Sequence, residues 1–131
     1  MMQIIIYNEK IDDFFTALQN EYGESIKISE RKRFGGVGDV IISLIPTTVV
    51  TVVAGTLVAL TTQIIKTVFE NHTNKSKNNS ETASISPLEI SVKNGNVTVI
   101  NRIEVSSLTI INNCESALID TLQGEGSDGK Q

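Results

Sequence analysis

Apolar positions recur along this chain with more than one period. Residues 3–7, Gln-Ile-Ile-Ile-Tyr, form a short β-branched run suited to a buried strand. Ile11, Phe14, Phe15, Leu18 and Tyr22 follow at helical spacing and mark one face of an amphipathic helix. Asn8 is the expected N-cap, Asp12 and Asp13 complement the positive end of that helix, and Gly23 stops it. Ser25-Ile26-Lys27-Ile28-Ser29 then alternates polar and apolar, as a half-buried strand does. Residues 3–29 are therefore expected to form a β-α-β unit with tight connections.

From Val40 to Ile65 no side chain is charged. A membrane-spanning helix needs about 20 predominantly apolar residues, so length permits a span. Pro46 interrupts the run, because proline removes a donor and disfavours helix at the residue before it. The pattern predicts a short helix over 37–45 and a longer one over 47–69, of which only the second could cross a bilayer. Thr48, Thr51, Gly55, Ala59, Thr62 and Lys66 form a narrow small-and-polar stripe on the longer helix. Val49, Val53, Leu57, Leu60, Ile64 and Val68 form a broad apolar face opposite. Thr51, Gly55 and Ala59 lie four apart, the spacing that lets two helix backbones approach closely. Two readings follow: a core helix with its polar stripe toward solvent, or a face built for a membrane or another helix. A span would leave two small pieces, the first under ~40 residues, a size that rarely folds unaided. The two ends are therefore expected to share one sheet.

Residues 71–87 are Asn/Ser/Lys-rich and predict a mobile loop. Two alternating runs, 88–92 and 97–100, flank Asn94-Gly95 and predict a hairpin with a type I′ turn. Residues 103–111 are again β-prone. Asn112 or Asn113 is the expected cap of a last helix in which Cys114, Ala117, Leu118 and Leu122 share a face. The expected fold is a single α+β domain over 1–123. It has a small mixed sheet from the N-terminal β-α-β and the C-terminal hairpin plus helix, with hydrophobic helices over 37–69 broken at Pro46. Residues 124–131 form a flexible tail.

Composition narrows the function. Eleven Lys and Arg against fifteen Asp and Glu leave a net charge of −4, which argues against a duplex nucleic-acid binder. Aromatics are 5% and Trp is absent, so a base-stacking platform is not expected. One Cys and one His exclude an internal disulfide and a thiolate zinc site, and no metal or cofactor is expected. A Cys-His nucleophile pair would need Cys114 beside His72. One falls on a buried helix face and the other in the expected loop, so no catalysis is expected there. Gly35-Gly36-Val37-Gly38 lacks the Lys-Ser/Thr of a phosphate loop. Arg31, Lys32 and Arg33 form a basic cluster for an anionic surface, or a solvated loop. The first apolar run is too short for a secretory signal, so the chain is expected in the cytoplasm, or attached to or inserted in the cell membrane through 40–69.

The order of parts is strand, amphipathic helix, strand, basic patch, Gly-punctuated hydrophobic helices, polar loop, hairpin and capped helix. It resembles the effector-associated constant component family of bacterial conflict systems. The segments that carry the resemblance are 4–29, 35–66 and 88–122. Members of that family usually have a run of arginines after the hydrophobic helices. Here only Lys66, Lys75 and Lys77 stand there. The resemblance implies a non-enzymatic adaptor in anti-phage defence. Its partners would be an effector protein or NTPase of the same system, with further copies of the chain or the membrane as additional contacts and no nucleic acid. No catalytic residue carries over. The alternative is a membrane-active protein whose 40–69 helix inserts and disrupts the membrane.

Overall fold

The computed structural model describes residues 1–32, 35, 38–45, 54–78 and 87–127, with backbone alone for 54–56, 75–78 and 122–127. Strand alternation places Ile4 and Ile6 of β1 (Met2–Tyr7) on one side of a sheet and Gln3, Ile5 and Tyr7 on the other. Helix α1 (Asp13–Tyr22) and a single 3-10 turn lead into β2 (Ile26–Arg31). Then come β3 (Asp39–Leu44), α2 (Ala54–Asn78), β4 (Leu88–Asn94), β5 (Val97–Val105) and α3 (Leu108–Ser127). The five strands lie in the order β2-β3-β1-β4-β5. Every neighbouring pair is antiparallel, where a mixed sheet was expected.

Central β1 pairs with β3 on one side and β4 on the other, so the two ends of the chain do share one sheet. The β1-α1-β2 connection steps over β3, and β3-α2-β4 steps over β1. These are two split β-α-β units, the ferredoxin-like arrangement, extended by β5 and α3. The helices cover one face. Ile4, Ile6, Val40, Ile42, Ile90 and Val92 meet Phe15, Leu18, Ile64, Val68, Ile111 and Leu118 in one aliphatic core.

The expected short helix over 37–45 is instead strand β3 across 39–44. Val40, Ile42 and Leu44 point into the core and Asp39, Ile41 and Ser43 away from it, a period of two. Its β-branched residues gain two flanking ladders, with β1 and β2, which a nine-residue helix would forgo. Helix α2 is described from Ala54. Pro46 and the first turns of the expected long helix lie outside the described residues. At its other end α2 continues to Asn78, so residues 71–78 are helical, not loop. Polar residues cost only about 0.5 kcal/mol each against alanine, and an established helix propagates readily.

Three helix and turn boundaries move. Asp12, not Asn8, caps α1, its side chain accepting from Phe15 N at 3.2 Å. The later start leaves Ile11 38% exposed. The hairpin turns on Gly95-Asn96, since Asn94 pairs with Val97. Gly95 has φ +65 and Asn96 is not among the positive-φ residues, so the turn is type II′ and not I′. Helix α3 starts five residues earlier than Asn113. Ser107 Oγ accepts from Ile110 N at 3.4 Å, and the helix runs through 124–127 of the expected tail.

Candidate functional site

The face of the sheet away from the helices carries a polar network. Arg31, Asp39 and Tyr7 are register partners on β2, β3 and β1 and form a row across the strands. Asp39 is fully buried and binds Arg31 through one oxygen, at 2.8 Å from Nη2 and 3.3 Å from Nε. Its other oxygen accepts from Asn8 N at 3.2 Å, fixing the left-handed corner (φ +59) between β1 and α1. Gly38 lies against the Arg31 carbonyl, where a Cβ has no room. On the far side of Tyr7, Arg102 stacks over the ring at 4.0 Å and holds Glu89 through two bonds, at 2.9 and 3.2 Å. The Glu89 bond holds the Arg102 guanidinium pKa above its ordinary value. Tyr7 Oη and Ser91 Oγ lie 2.9 Å apart. These groups satisfy one another and close over Ile5, which is 6% exposed.

Arg31 is therefore not presented as part of a basic cluster: buried Asp39 occupies it because β2 and β3 pair in that register. Lys32 is exposed beside it, and Arg33 lies outside the described residues. Asp39 is the functional-looking residue that the sequence pattern hid. Its signal was a lone acid opening a β-branched run.

Cys114 is buried on the inner side of α3, and burial pushes its thiol pKa up, away from the reactive thiolate. His72 stands on α2, half-buried, and not on a loop. No hydrogen bond joins the two. Among the described residues, no group of three or more His, Cys, Asp or Glu could hold a metal ion.

Of the expected packing or membrane face, Ile64 is fully buried in the domain core, and Leu57 and Leu60 pack against it. Ala59 is exposed, Gly55 lies in the first turn of α2, and Thr51 is outside the described residues. Thr61 is buried with its hydroxyl donated to the Leu57 carbonyl at 2.8 Å, while the buried Thr62 Oγ1 has no partner. The charge-free run is thus divided between β3 and α2. Among the described residues, no helix is long and apolar enough to cross a membrane.

A groove of about 410 Å³ opens between β5 and α3. Its walls are Val99, Ile103, Ile110 and Ala117, all half-buried, with Cys114 beneath and Glu104 at one side. The strand that forms it is a free edge of the sheet, and its pairing with β4 slips twice, between Ile90 and Val92 and between Val92 and Lys93. The sequence showed the apolar residues of 97–122. It could not show the groove, which exists only because α3 folds back along β5. Compared with known proteins, the chain matches no family model, no curated protein and no solved structure.

Proposed function

We propose that this chain is a non-enzymatic adaptor that docks an effector protein or NTPase of the same bacterial defence system through the β5–α3 groove. The observation that carries the reading is the groove itself: four half-buried aliphatic side chains side by side at an open edge of the sheet. The chain's one Cys and one His support the reading as well, since neither is placed as a nucleophile or base.

The test is co-expression of the tagged full chain with the products of its neighbouring genes. The expected result is a stoichiometric complex with one of them, lost in Ile103→Lys and kept in the double variant His72→Ala, Cys114→Ser. Loss of defence in that double variant, with its fold intact, contradicts the adaptor reading. Retention of the chain in carbonate-washed membranes, with no complex, favours insertion through 40–69 instead.

A further inference from the structure

The rim of the β5–α3 groove is acidic. Glu104 borders it on the strand, and Asp120 lies one turn beyond Ala117 on the same side of α3. Both are exposed, and neither makes a hydrogen bond or ion pair. Between 97 and 127 the one basic residue is Arg102, against four acids, Glu104, Glu115, Asp120 and Glu125. Arg102 is committed to Glu89 and Tyr7 on the opposite side of the sheet. Nothing of the chain's own neutralises the groove mouth.

The strand edge selects the kind of occupant. Adding a strand needs a regular ladder of free backbone groups, and the two register slips in β5 disturb that ladder. What remains presentable is the side-chain trough between strand and helix. A trough with an apolar floor suits helix-in-groove docking, in which residues at i, i+3 or i+4 and i+7 supply the anchors. Unpaired acids at its mouth favour cations on the incoming segment, raising its association rate and excluding acidic competitors.

Resting on the adaptor reading, we infer that the groove takes a short amphipathic helix of the partner protein, apolar on the face it inserts and flanked by Lys or Arg. The test titrates the isotopically labelled full chain with a panel of synthetic amphipathic peptides, Lys-flanked or Glu-flanked on the same apolar anchors. Lys-flanked members shift the amide resonances of Val99, Ile103, Ile110 and Ala117, and Glu-flanked ones do not. The double variant Glu104→Lys, Asp120→Lys keeps the melting temperature and weakens Lys-flanked binding about tenfold at low salt. No shift with any peptide, equal binding of both sets, or unchanged affinity in the double variant each overturns the inference.

The same double variant separates this inference from the adaptor reading. If it still co-purifies with the neighbouring effector, the acidic-groove inference falls and the adaptor stands. If the peptides behave as stated but no neighbouring product binds, the adaptor reading falls and the groove's specificity stands.

Discussion

At the β2 edge of the sheet, side chains take the place of a neighbouring strand, whereas at the β5 edge the backbone irregularity leaves a trough. Gln19 on α1 accepts from Ile28 N at 2.9 Å and donates to the Ile26 carbonyl at 2.7 Å, the positions where another strand would bond. Glu30 of β2 in turn accepts from Ile11 N at 3.1 Å, tying the start of α1 to the same strand. At β5 no such cap is present among the described residues. Register slips twist the strand, and α3 follows it at a distance that leaves apolar side chains half-exposed. An unpaired edge is a hazard that folded chains suppress. The contrast shows backbone pairing suppressed at both edges, with an apolar surface left open at only one of them.

Breaking the closed edge has the largest effect. Phe15 is the buried anchor of α1, at 2% exposure, and Phe15→Ala should cost about 3–5 kcal/mol and free the β2 edge. Chemical denaturation measures the loss, and light scattering should report self-association. Gln19→Ala removes only the cap and leaves buried backbone groups unpaired, at a cost of about 1–3 kcal/mol. It should therefore sharpen the comparison: moderate destabilisation with new association at β2. On the open edge, Ile103→Lys should change stability by under ~1 kcal/mol, because the residue is half-exposed and lysine can turn its amine to water. It should nonetheless abolish docking, measured by calorimetric titration of the partner.

The legible parts of this fold are those whose signal is local. Ile4, Ile6, Phe15 and Leu18 declared strand and helix through spacing alone, and all four are core residues. The hairpin was legible from its glycine, although the turn slipped by one residue because Val97 pairs with Asn94. Strand β3 was not legible as a strand. Continuity of uncharged residues across 40–65 concealed a change from period two to helical period, and only pairing with β1 and β2 decides it. The groove was less legible still, since Val99 and Ala117 lie on different elements and meet only through tertiary packing. Arg31 in a basic triplet looked free because its partner, Asp39, comes eight residues later on the neighbouring strand.

The smallest effects concern pH. Burial raises the Cys114 thiol pKa above its ordinary 9.0, and burial followed by the Glu21 charge raises that of Tyr22 on α1. In each case the unfolded chain ionises first as pH rises. The contribution is fully present below the unfolded value and is lost through the alkaline range, so melting temperature should hold near neutrality and fall above about pH 9. Replacing Cys114 by Ser should reduce that alkaline slope, and thiol reagents at pH 7 should modify the wild-type residue only on unfolding.

Hydrogen exchange on the full chain, alone and in complex with the neighbouring effector, tests the contrast between the edges most directly. The account predicts new protection across 97–105 and 108–121 in the complex and no change across 26–31. Protection confined to 26–31, or none in β5 and α3, would contradict it.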